Sequence, residues 1–171
     1  RRRLGRHWYA DGPADLADVV ITACRSSGKH IAVAESCTGG MLATRLTSVS
    51  GSSNAFVGGV VAYDNAVKIE QLGVDAALIE RTGAVSEDVA RAMAAGVRAL
   101  MHTQIGVGIT GVAGPEGGSP EKPVGLVWIA VDVDGHVTVH GGRFIGDRSE
   151  IRFRATQAAL NMIRRELAGI G

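Results

Sequence analysis

The stretch that most restricts how this chain can fold is Ile31-Ala32-Val33-Ala34, which stops abruptly at Glu35-Ser36-Cys37-Thr38-Gly39-Gly40. Four apolar residues in a row suit a short strand buried on both faces. The glycine pair relieves the steric limits on a tight turn into a helix beginning near Met41-Leu42. This arrangement predicts Ser36 at the C-terminal tip of a strand. The amides of the turn and of the first helical residues lack intrahelical partners and could hold an anion or an oxyanion beside the Ser36 hydroxyl. The same residues also read as ordinary N-capping of that helix. Cys37 is the intrinsically better nucleophile and gains equally from a helix N-terminus, so either neighbour is a candidate.

The rest of the chain repeats the theme of a short apolar strand ending in a polar turn. Leu16, Val19, Val20, Ala23 and Cys24 recur at helical spacing, with Asp11 as a cap, Pro13 in the first turn and Gly28 past the end. After the site helix, with Leu42, Leu46 and Val49 on one face, a second strand begins near Phe56. It runs into Tyr63-Asp64-Asn65-Ala66-Val67-Lys68, which sets a phenol, an amide and an amine at its mouth. A short helix is expected over residues 75–81. Ser86 should cap a longer one whose Val85, Val89, Met93, Val97 and Leu100 share a face. Ile105-Gly106-Val107-Gly108-Ile109 is a third strand. It ends in a glycine-rich loop from Thr110 to Pro120 that fits neither phosphate-loop nor dinucleotide-fold spacing. Residues 124–133 and 137–144 alternate as strands around the hairpin signal Asp134-Gly135. A last helix opens at Asp147, with Glu150 three residues on as a capping-box partner and Ile151, Ala155, Ala159, Met162 and Ile163 on its buried side.

Helices alternating with short strands, closed by an antiparallel hairpin, predict one three-layer α/β/α domain with a mixed, mostly parallel sheet. Its boundaries are residues 13–171, behind a flexible basic tail over 1–12 that carries four arginines. Ligand sites in such sheets lie beyond the C-terminal strand ends, where Ser36, Tyr63 and Thr110 all fall. With 171 residues and a net charge of +1, the chain has no field arguing for nucleic acid or membrane as its main partner. No apolar run of about 18 residues suggests a membrane span, and the basic N-terminus lacks the apolar segment of a signal peptide. Two cysteines without framework spacing point to a reducing cytoplasm. No His/Cys cluster has metal-ligand spacing, so neither metal nor cofactor is expected.

Six ordered motifs carry a further reading: Ala34-Glu35-Ser36-Cys37-Thr38-Gly39-Gly40, Tyr63-Asp64-Asn65-Ala66-Val67-Lys68, Gly83-Ala84-Val85-Ser86, Thr110 to Gly118, Lys122-Pro123-Val124-Gly125, and Phe144-Ile145-Gly146-Asp147-Arg148 with Arg152. Together they resemble the CinA C-terminal domain family, the nicotinamide mononucleotide amidohydrolases, over nearly the whole chain outside the tail. The resemblance implies hydrolysis of the carboxamide of nicotinamide mononucleotide to nicotinate mononucleotide and ammonia. It implies Ser36 as nucleophile, Tyr63 and Lys68 assisting, Thr110 and an arginine completing the site, and no cofactor. It leaves Arg148 and Arg152 both in play. Thr38, Gly39, Gly40, Gly111 and Gly114, in the two glycine-rich turns, are the expected substrate-binding positions. A stand-alone, homo-oligomeric deamidase is expected.

Elementary chemistry supports lysine as the base. No histidine is well placed for a triad: His30 precedes the site strand, His102 follows a helix, and His136 and His140 lie on the hairpin. A lysine can serve at neutral pH only if burial or nearby positive charge lowers its pKa. The fork of an arginine matches a phosphate dianion. Glu35 could orient Lys68 or simply cap the turn. Two other functions compete: a Cys37-dependent amidase, and a regulatory module that binds a phosphorylated nucleotide without turnover.

Overall fold

The computed structural model describes residues 15–170, so the basic tail and the predicted roles of Asp11 and Pro13 lie outside the described residues. Five strands form one sheet in the order β2-β1-β3-β4-β5. They are β1 (Ile31–Glu35), β2 (Phe56–Val61), β3 (Ile105–Gly111), β4 (Leu126–Val133) and β5 (His136–Arg143). β1 pairs in parallel with β2 and β3, while β3–β4 and β4–β5 are antiparallel, so β4 alone runs against the rest. The predicted α/β/α sandwich with its C-terminal hairpin is therefore what forms. The hairpin turns at Asp134 (φ 53°) and Gly135 (φ 93°), the paired positive angles of the two-residue turn that matches strand twist.

The helices are α1 (Leu16–Ser27), α2 (Met41–Thr47), α3 (Asn65–Leu72), α4 (Ala76–Thr82), α5 (Glu87–Leu100) and α6 (Arg148–Leu167). Local chemistry sets their ends. Asp15 caps α1 by accepting the Ala17 amide, and Gly28 closes it at φ 66°. The buried stripe of α1 is Leu16, Ala17, Val20, Ile21 and Cys24; Val19 and Ala23 stand at its margin. Ser86 caps α5 through the Val89 amide, and Asp147 with Glu150 forms the predicted capping box of α6. Val89, Met93 and Val97 are buried on α5, whereas Leu100 at its end is exposed.

The two faces of the sheet differ in side-chain size, and this decides how near each layer of helices can come. Ile31, Val33, Ile105, Val107, Ile109, Val127, Ile129 and Val131 form the large core shared with α1, α2 and α6. The other face of β1 offers only Ala32 and Ala34 to Met93 and Val97 of α5 and Leu72 of α3. On β3 that face is bare: a Cβ at Gly106 would fall onto the Ala94 carbonyl oxygen, and one at Gly108 onto that of Ala90. The backbone of α5 thus lies directly against β3, which only glycine permits. The aligned ends of β1, β2 and β3 open on one edge of the sheet, in the register Glu35 to Val61 and Glu35 to Ile109.

Candidate active site

The turn after β1 is fixed at both ends by the backbone and from within by a carboxylate. The Ser36 amide donates to the Ile109 carbonyl (2.9 Å) and the Ser36 carbonyl accepts from Gly39 (3.0 Å). Gly39 and Gly40 then turn the chain with φ of 58° and 91°, conformations costly for residues with a Cβ. The buried Glu35 carboxylate reaches forward to α2, where Oε2 accepts from the Gly40 (3.2 Å) and Leu42 (3.0 Å) amides and Oε1 from Ala43 (2.8 Å). This corrects the expectation for the first helical residues, whose amides do not await an anion: the chain's own glutamate takes those of Gly40, Leu42 and Ala43. It also decides between the two readings of Glu35, which caps the turn.

The N-cap of α2 is Gly40, with no side-chain cap, so Ser36 does not perform that structural task. Among the described residues the Ser36 hydroxyl makes no hydrogen bond, although the residue is only 9% exposed. Arg152 secures the turn from α6, donating Nε (3.2 Å) and Nη2 (2.8 Å) to the Thr38 carbonyl. Thr38 itself is fully buried, with its hydroxyl unpartnered. Cys37 packs into the apolar core, and burial pushes its thiol up to about 12, with Glu35 adding to the rise against Arg152 and Arg148. A thiol so protected is almost wholly protonated at neutral pH.

Lys68 is 1% exposed, the largest fully buried side chain among the described residues. Its Nζ donates to the Tyr63 carbonyl (3.4 Å) and to Asn65 Oδ1 (3.3 Å), both uncharged and both long contacts. Burial lowers its pKa below the ordinary lysine value; Asp64 opposes this by favouring the charged form, as Cys37 would once ionised. The Asp64 side chain caps α3 through the Ala66 amide (2.8 Å) and makes no ion pair with Lys68.

A cleft of about 290 Å³ at this edge of the sheet brings Ser36, Cys37, Lys68, Thr110 and Tyr63 together, with Gly111, Gly114 and Arg148 on its walls. That volume is near the lower end of the roughly 300–1,000 Å³ found for small-ligand sites. Thr110 is buried, its hydroxyl donating to the Ala84 carbonyl (2.8 Å). Tyr63 is 61% exposed, and its hydroxyl accepts from Arg148 Nη2 (2.8 Å) while Arg148 Nη1 donates to the Gly114 carbonyl (2.7 Å). Arg148 therefore spans the mouth of the cleft. Thr38, Gly39, Gly40 and Arg152 support the turn from behind and are not among the cleft's walls. Asn65, the amide expected at the mouth of the strand, and Glu116 line it too, with no role expected of either from the sequence. The signal for Asn65 was present, since a helical residue three before Lys68 shares its side of the helix.

Two larger hollows, about 380 Å³ between β5 and α6 and about 510 Å³ beside Phe144 and Ile145, contain neither the serine nor the buried lysine. Among the described residues no three His, Cys, Asp or Glu side chains gather as a metal site, and no helix is long and apolar enough to cross a membrane.

Comparison with known proteins agrees with this architecture. The profile of the CinA C-terminal domain matches residues 13–167. A CinA-like protein of Gemmatimonas aurantiaca is 55% identical over 98% of this chain, and one of Dictyoglomus thermophilum is 46% identical over 99%. The chain spans about two-fifths of the length of these curated relatives, 39% and 41%. Among solved structures, the competence/damage inducible protein CihA of Agrobacterium tumefaciens superposes with a TM-score of 0.86 at 41% identity, covering 90% of this chain and 93% of that one. A CinA superfamily protein of Klebsiella pneumoniae gives 0.87 at 33% identity, covering 90% and 96%.

Proposed function

Because the chain belongs to the CinA C-terminal domain family, we propose that it hydrolyses the carboxamide of nicotinamide mononucleotide, with Ser36 as nucleophile and Lys68 as general base. One observation carries the reading: a serine hydroxyl with no structural task opens on the same cleft as a buried lysine whose charged form is disfavoured. A neutral Lys68 amine can accept the Ser36 proton as Oγ attacks the carboxamide carbon. The resulting oxyanion needs donors. The Gly40, Leu42 and Ala43 amides are already engaged by Glu35, which leaves the Thr38 amide and the Cys37 amide beside its own thiol, to which no carbonyl or carboxylate among the described residues is bonded. Lys68 returns the proton to the departing nitrogen, releasing ammonia and a nicotinoyl ester on Ser36. Water then attacks that ester, Lys68 takes its proton, and Ser36 leaves protonated.

The remaining residues support the two ends of the substrate. Arg148, on the cleft wall, receives the 5'-phosphate, while Arg152 keeps the nucleophile's turn in place through Thr38. Tyr63 assists from both sides, its carbonyl on Lys68 and its hydroxyl on Arg148. Thr110 anchors the floor through Ala84. Incubation with nicotinamide mononucleotide should release ammonia and nicotinate mononucleotide in equal amounts. Tight binding of the nucleotide without either product would replace this reading with that of a regulatory module.

A further inference from the structure

We propose that Asn65 is a positioning residue for Lys68, holding its amino group at the cleft through a contact that carries no charge. The inference rests on the reaction proposed above and concerns how its base is kept competent. Asn65 opens α3 and Lys68 follows three residues later, so both side chains lie on one side of the helix and both line the cleft. Nζ has two acceptors, the Tyr63 carbonyl and the Asn65 amide oxygen, and both are neutral. Lys68 makes no ion pair among the described residues. A carboxylate in the place of the Asn65 amide would hold the amine as well but would favour the protonated form, which cannot accept a proton from Ser36.

The surrounding charges are disposed so that the neutral contact matters. From its own helix Lys68 feels Asp64, whose side chain is committed to the Ala66 amide, while Glu70 is exposed. Cys37 faces it from the turn after β1 as a protonated thiol, and the nearby Glu35 carboxylate is bonded to α2. Across the cleft stand Glu116, exposed on the glycine-rich loop, and Arg148 on α6. On α5, Glu87 pairs with Arg91 and Arg98 with Asp132, and Asp88 is exposed, as are Glu80 and Arg81 on α4. Among the described residues no carboxylate is left in contact with Nζ, and position 65 is where one would enter with least change of shape.

Asn65→Asp makes that change while preserving size, and Asn65→Ala removes the contact. The test measures kcat/KM for nicotinamide mononucleotide against pH in wild type and both variants, with the Lys68 Cε resonance titrated by 13C NMR as a readout independent of turnover. For Asn65→Asp the acid limb and the resonance midpoint should both move up by at least about one pH unit, as a close opposite charge does. This means roughly tenfold lower activity on the acid side and a return to the wild-type plateau in alkali. Asn65→Ala should lower kcat across the range with no upward shift. An unmoved Lys68 midpoint in a folded Asn65→Asp protein, or an equal loss at every pH, overturns the inference. If wild type leaves the nucleotide intact while the midpoint still shifts, the proposed reaction fails and the role of Asn65 stands.

Discussion

Replacing Glu35 with Gln keeps the shape of the group that caps α2 and removes its charge. Three amides converge on the carboxylate, two on Oε2 and one on Oε1. A glutamine has only one oxygen, so its amino group must face at least one N–H donor, leaving it unsatisfied in a buried site. One orphaned buried donor costs about 1–3 kcal/mol, and the remaining bonds weaken from the charge-assisted range toward the neutral one, by about 1 kcal/mol each. Allowing for relaxation of the turn, the total is about 3 kcal/mol. For a domain of this length that corresponds to a melting temperature lower by about 6–12 °C. Urea unfolding of Glu35→Gln, read by circular dichroism at neutral pH, measures the loss directly. Because Ser36 adjoins this residue, kcat should fall with little change in KM. An unfolding free energy within about 0.5 kcal/mol of wild type would refute the claim that Glu35 carries the turn, since that is the scatter of an ordinary surface substitution.

Three further outcomes are expected. Ser36→Ala should lose at least about a thousandfold in kcat yet remain folded, whereas Cys37→Ala should retain turnover and be somewhat less stable; iodoacetamide inactivation mapped to Cys37 would reverse the assignment. Lys68→Met should abolish turnover while raising the melting temperature at pH 7. The folded-state pKa of Lys68 lies below its unfolded value, so its burial opposes folding at neutral pH and this cost disappears as pH rises toward the unfolded pKa of 10.5. The difference between variant and wild type should therefore shrink at pH 10, and a variant less stable than wild type at pH 7 would refute it. Arg148→Ala should raise KM for the nucleotide strongly and leave the poor turnover of its riboside unchanged; steady-state kinetics on both substrates decide, and equal losses on the two would remove the phosphate role.

What could be read from the sequence were features whose cause lies within a few residues. Asp134-Gly135, the Ser86 cap and the Asp147 with Glu150 box depend on local backbone geometry, and each formed where expected. The strand ends bearing Ser36, Tyr63 and Thr110 were legible for the same reason. Glu35 was not decidable, because its partners lie five, seven and eight residues ahead and no local capping pattern has that spacing. Arg148 and Arg152 sit one helical turn apart, and only the tertiary positions of Gly114, Tyr63 and Thr38 send one to the cleft and the other to the turn. The contact of Tyr63 with Lys68 is made by its carbonyl, which any residue possesses, so the identity of the side chain could not have announced it.

The bare glycine face of β3 limits how such a protein can be retuned. Where a wall is lined by side chains, one methyl can be traded for another and a binding site reshaped in small steps. Here the layer beneath Thr110 meets α5 backbone to backbone, and the first carbon added at Gly106 or Gly108 has nowhere to go. A shift of α5 would be passed through Ser86 to the neighbouring Ala84 carbonyl and so to the Thr110 hydroxyl. Variation that survives selection for a new substrate should therefore gather on the rim, at Tyr63, Glu116 and the loop around them, and a library that randomises the floor should return mostly unfolded chains.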